Sequence, residues 1–115
     1  MYYHAQGLLG EFEEIVLLVV AACPEEAYGV NIWEDVQQQT GRSITMSAVH
    51  ATLYRLEEKG YLASTMGGAT AERGGRRKRF FVLTALGVQA LNDIQEMRNR
   101  LWQAIPPGKF QLIGG

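Results

Sequence analysis

The sequence predicts a mainly α-helical domain with one small β-hairpin, an α+β fold. Three observations predict it. Over residues 46–59, a 3.6-residue period puts Val49, Leu53 and Leu56 on one narrow face, opposite Ser47, Ala51, Tyr54 and Glu58, with His50 and Arg55 on the flanks. Two short apolar stretches, 61–66 and 79–84, flank a Gly-rich basic loop. Residues 85–105 then carry apolar positions at heptad spacing.

Taken in order, residues 10–23 read as a first helix. Glu11, Glu13 and Glu14 sit in its first turn, where the helix dipole favours acids, and Pro24 ends it. From Ile15 it is apolar nearly all round, as a central core helix should be, and Cys23 reads as a small buried hydrophobe. Residues 27–40 read as a second helix with Tyr28, Ile32 and Val36 facing inward, Trp33 off that line and Gly41 as its stop. Residues 43–45 join it to the third helix, which Thr45 caps and Gly60 ends. In the hairpin, period-2 alternation points Leu62, Met66, Phe81 and Leu83 inward. The loop GGATAERGGRRK is twelve residues long with four glycines, long for a hairpin. Thr84 caps the last helix and Pro106-Pro107-Gly108 ends it. A helix followed by a hairpin with a cationic tip is the plan of a winged helix-turn-helix. The expected layout is a winged domain over residues 1–84, a dimerisation helix over 85–105 and a short tail over 106–115.

A length of 115 residues with 47% apolar content suits one compact domain. No targeting segment is visible, and the longest apolar run, Ile15–Cys23, is far short of the ~20 residues a membrane span needs. A single cysteine excludes an internal disulfide framework and suits a reducing cytoplasm. The histidines, His4 and His50, lack partners at metal-ligand spacing, and no nucleophile or phosphate-loop motif is present. An enzyme, a cofactor and a metal site are therefore not expected.

The net charge of −1 hides a segregation. Residues 1–41 hold Glu11, Glu13, Glu14, Glu25, Glu26, Glu34 and Asp35 and no Lys or Arg, a charge of −7. Residues 42–79 hold Arg42, Arg55, Lys59, Arg73, Arg76, Arg77, Lys78 and Arg79 against Glu57, Glu58 and Glu72, a charge of +5. A local field governs binding more than a total does, so double-stranded DNA is the expected partner. The recognition helix 46–59 would enter the major groove, with Ser47, His50 and Ala51 near base edges, Tyr54 and Arg55 nearer phosphate or sugar, and Thr45 also among the DNA contacts. Arg55 has an alternative use, pairing with Glu57 or Glu58 on its own helix. The wing, 67–79, would bring Arg76, Arg77 and Lys78 to the backbone or minor groove. The rival reading is a winged-helix protein-interaction module without DNA binding, which has no need of a basic wing.

On the last helix Ala90, Ile94, Met97, Leu101 and Ala104 are spaced 4, 3, 4, 3, and Trp102 and Ile105 widen the stripe. It should form a homodimer seam.

Four segments, LGEFEEIVLLVVAAC, YGVNIWEDVQQQTG, SAVHATLYRLEEKGYL and GGRRKRFFVLTALG, occur in that order. Together they resemble the PadR family of bacterial transcriptional regulators over about residues 9–90. The resemblance implies a winged helix-turn-helix, dimerisation through the C-terminal helix, and usually repression in the bacterial cytoplasm. A single C-terminal helix with a short tail resembles the smaller subclass. The resemblance also implies a small aromatic or drug-like effector at the dimer interface, for which Trp102 and Phe12 are the candidate contacts, with Tyr2 and Tyr3 as neighbours. His50, Phe80 and Phe81 stand where the family often has Tyr, and Arg77 where it often has Pro.

Overall fold

In the computed structural model the described residues are 9–67 and 78–110. They form four helices and a three-stranded antiparallel sheet: α1 (Glu11–Ala22), β1 (Ala27–Tyr28), α2 (Gly29–Thr40), α3 (Met46–Glu58), β2 (Leu62–Gly67), β3 (Lys78–Leu83) and α4 (Ala85–Gln103). The α+β fold class is as expected.

The helix ends follow local chemistry. The Gly10 N–H donates to Glu13 Oε1 at 3.0 Å and opens α1. Gly41 closes α2 in the left-handed region, φ 72°, with its N–H donating to the Gln37 carbonyl at 2.8 Å. The Trp33 indole N–H donates to the Ile44 carbonyl at 2.7 Å, and Gln37 Oε1 accepts from the Ile44 N–H at 2.9 Å. Both bonds pin the joint between α2 and α3. Thr45 caps α3, its hydroxyl oxygen accepting from the Ala48 N–H at 3.1 Å.

Val16, Leu17, Ile32, Val36, Val49, Leu53 and Leu56 are fully buried, so α1, α2 and the inner face of α3 share one core. Phe81 and Leu62 close it from the sheet. Gly87 lets α4 start against the end of α3 and β2: a Cβ there would lie 2.3 Å from the Tyr61 carbonyl oxygen.

Several expectations need correction. Ala27 and Tyr28 are not helical; they pair with Phe81 and Phe80, which gives the sheet its third strand in the order β1-β3-β2. Tyr28 is accordingly half-buried at the head of α2 rather than facing the core with Ile32 and Val36. Met66 has the inward parity of Leu62, but β2 runs past the edge of the core there and leaves it 43% exposed. Cys23 is half-buried at the end of α1, and Leu18 on α1 is exposed, so α1 is not covered all round. Helix α4 stops at Gln103, which puts Ala104 and Ile105 beyond it.

Candidate nucleic-acid interface

The periodicity that built the core also leaves an exposed face. With Val49, Leu53 and Leu56 pointing inward, Ser47, Ala51, Tyr54 and Glu58 stand exposed on the far side of α3. Thr45 is exposed just ahead of them, engaged as the cap and 3.5 Å from the Ser47 hydroxyl.

His50 is not on that outer face. It is half-buried, turned toward the first residue of α2, so close that a Cβ on Gly29 would lie 2.8 Å from its Cε1. Its ring also lies 6.4 Å from that of Tyr54. Together with Tyr28, Val30, Lys78, Arg79 and Phe81, these residues line a hollow of about 230 Å3 between α2, α3 and the sheet. Tyr28, expected in the core, and Gly29, given no role by the sequence, join the basic Arg79 here. A glycine directly after an aromatic at a helix start was the one local signal for the close approach.

The base of the wing is shaped by Tyr28. Its ring meets Phe80 edge-on at 5.9 Å and lies 5.3 Å beneath the Lys78 ammonium. Its hydroxyl donates to Glu26, and that hydrogen bond raises its pKa above the ordinary 10.0. Arg79 donates to the Ser64 hydroxyl at 2.7 Å, and Ser64 donates to Glu57 Oε2 at 2.7 Å, which ties the wing base to α3. Arg76 and Arg77 lie outside the described residues.

Much of the basic middle segment is engaged elsewhere. Arg55 pairs neither with Glu57 nor with Glu58; its Nε donates to Glu13 Oε2 at 3.1 Å, and Lys59 reaches the same carboxylate at 2.9 Å. Glu13 is buried. Burial alone would raise its pKa, but the Gly10 N–H, Lys59 and Arg55 outweigh that and hold it below the ordinary 4.5. Arg42 makes a bidentate pair with Glu11, at 3.2 and 2.8 Å, and Arg98 one with Glu14, at 3.0 and 2.8 Å. The acidic first turn of α1 thus clamps α4, α3 and the end of α2. Glu13 is the organising residue that sequence reasoning missed, and nothing local distinguishes it from its acidic neighbours.

On α4 the expected seam divides. Ile94 is 9% exposed and Ala90 and Met97 are partly covered, while Leu101 and Trp102 are 62% and 65% exposed. Trp102 faces Phe110 at 6.1 Å between ring centres. Phe12, by contrast, packs against the core.

The model of the transcriptional regulator PadR-like family matches residues 16–93. The chain belongs to the PadR-like family. Among solved structures it is similar to a PadR-like transcription factor from Bacteroides fragilis (TM-score 0.66, 18% identity, 80% of this chain and 84% of that one). It is similar to a PadR-like regulator from Bacillus cereus (0.66, 16%, 85% and 90%) and to a protein of Streptococcus mutans (0.62, 26%, 90% and 88%). No curated protein sequence matches it. This PadR-like chain is thus a DNA-binding transcriptional regulator with a winged-helix fold, and not an enzyme. Among the described residues no helix is long and apolar enough to cross a membrane.

Proposed function

We propose that this PadR-like protein represses transcription as a cytoplasmic homodimer, with α3 in the major groove and the wing, 67–79, on the backbone or minor groove. The observation that carries the reading is the split of α3: three fully buried apolar residues on one side, and Ser47, Ala51 and Tyr54 exposed on the other beside the Lys78 and Arg79 wing base. Ser47 and Ala51 supply base contacts, a hydrogen-bonding hydroxyl and a methyl that suits thymine. Arg76 and Arg77 add phosphate charge to Lys78. Arg55 contributes mainly by fixing α3 to α1.

Dimerisation is supported by the exposed apolar end of α4, since Leu101 and Trp102 are 62% and 65% exposed on one monomer. In this reading residues 1–84 bind DNA, 85–105 pair the two copies, and 106–115 form a tail. The Trp102 indole offers an aromatic effector a stacking surface at that seam; Phe12, held against the core, is the weaker candidate contact.

The test is retardation of DNA from upstream of the chain's own gene. Retardation weakening about a thousandfold between 50 and 200 mM salt is expected if a dimer engages about six phosphates. Transcription from that DNA should rise when the protein is deleted. A protein that leaves the DNA unshifted overturns the reading.

A further inference from the structure

The hollow between α2, α3 and the sheet has a composition that the reading of α3 as a base reader does not use. Its wall on one side is His50 and Tyr54, on the other Lys78 and Arg79, and its floor is the start of α2. Lys78 is exposed and has no carboxylate partner among the described residues; its ammonium lies over the Tyr28 ring, while Glu26 is occupied by the Tyr28 hydroxyl. His50 and Tyr54 add an imidazole N–H and a phenol O–H, and neither has a hydrogen-bond partner among the described residues. A concave site with an open cation and two hydrogen-bond donors matches an oxyanion. On a surface whose neighbour is the exposed face of α3, that oxyanion is a DNA phosphodiester.

We propose that this hollow seats one backbone phosphate of duplex DNA, with Lys78 as its charge partner and His50 and Tyr54 as its hydrogen-bond donors. His50 then fixes the register of α3 on the duplex and does not read a base. The inference rests on the DNA-binding reading above and narrows it, leaving base contact to Ser47 and Ala51 on the outer face. Gly29 is part of the device: any side chain there would displace the imidazole and fill the seat.

Phosphate contacts act alike on all sequences, whereas base contacts act on one. The experiment compares two duplexes of equal length, one from upstream of the chain's own gene and one of random sequence, titrated by fluorescence anisotropy at several salt concentrations. The proteins are wild type, Lys78→Ala, His50→Ala and Ser47→Ala, with circular dichroism confirming the fold of each. Lys78→Ala should weaken both duplexes by the same factor and lower the salt slope by about 0.9 for each phosphate released. His50→Ala should weaken both about equally, by roughly 5–10-fold, the loss of one net hydrogen bond, whereas Ser47→Ala should weaken only the upstream duplex. The proposal is overturned if His50→Ala weakens only the upstream duplex, or if Lys78→Ala leaves the salt slope unchanged, while wild type still binds. Wild type binding neither duplex overturns the DNA-binding reading, and this one with it.

Discussion

Helices α3 and α4 start alike and end differently. Each opens on a threonine whose hydroxyl oxygen accepts from a backbone N–H three residues on, at 3.1 Å. Each carries an apolar stripe at helical spacing. On α3 the stripe is completed inside the monomer, with Val49, Leu53 and Leu56 at 0% exposure. On α4 it is covered as far as Ile94 and then emerges, reaching 62% exposure at Leu101. An apolar residue is a statement about burial, not about which chain supplies the cover. The domain is deep enough to bury three turns of α3, flanked by α1 and α2. It is too shallow to follow a 19-residue helix, ~28 Å long at 1.5 Å per residue, to its end.

The sharpest way to break this comparison is to cut the same side chain on both helices. Leu53→Ala should cost about 2–5 kcal/mol in urea unfolding, because it opens a cavity in a filled core. That cost should not depend on protein concentration. Leu101→Ala should cost at most about 0.5 kcal/mol in dilute protein, as for a surface residue. Its cost should grow with concentration, since it weakens association and leaves the monomer intact. Sedimentation of Leu101→Ala and of Trp102→Ala should show more monomer than wild type. A concentration-independent cost of 2 kcal/mol or more for Leu101→Ala, by the same cavity argument, would mean that its own domain covers it.

A smaller effect separates the two helices by charge. The C-terminal half of α3 is held by a buried carboxylate, Glu13, shared between two cations, Arg55 and Lys59, whereas α4 is held by the single pair of Arg98 with Glu14. Glu13→Gln should cost about 1–3 kcal/mol at pH 7, since it leaves polar groups poorly matched and two cations without their charge partner. Because the folded state holds the Glu13 pKa below 4.5, its contribution is present above that value and is lost as pH falls through the folded pKa. Wild type should therefore lose stability faster than Glu13→Gln below about pH 4.5. Parallel acid profiles would show that Glu13 is not the group that titrates. Arg98→Ala, which strands one largely buried carboxylate instead of two cations, should cost about 1–2 kcal/mol, less than Glu13→Gln at its upper end.

Much of what depends on spacing within one element was legible, though strand parity misplaced Met66. The two faces of α3, the caps Thr45 and Thr84 and the stops Gly41 and Gly60 all follow from a 3.6 period and from local chemistry. What depends on distant partners was not. Ala27 and Tyr28 look like the first turn of α2 until Phe81 and Phe80, more than fifty residues on, offer a strand to pair with. Arg55 lies within reach of Glu57 and Glu58 on its own helix, yet its partner is Glu13, forty-two residues away. The charge sum of the middle segment suffers the same way: Arg42, Arg55 and Lys59 hold α1, so the open charge lies toward the wing. Of the candidate site, the outer face of α3 was visible and the hollow was not, because three separate elements build it.

The smallest difference lies in the caps themselves. Thr45→Ala removes one acceptor from the first turn of α3, a loss of about 1 kcal/mol. Thr84 does more: its hydroxyl also donates to the Gly60 carbonyl at 2.6 Å, where Gly60 turns at φ 85° between α3 and β2. The Thr84 N–H, in turn, donates to the Tyr61 carbonyl at 3.1 Å. One threonine thus joins the end of α3, the end of β3 and the start of α4. Thr84→Ala should cost about 0.5–1.5 kcal/mol more than Thr45→Ala, the net value of one further hydrogen bond. Thr84→Ser keeps both bonds and should recover most of that difference in thermal unfolding. Equal losses for the two alanine variants would mean that the Gly60 turn is held by its glycine and by the Tyr61 carbonyl alone, leaving the α3 and α4 caps equivalent after all.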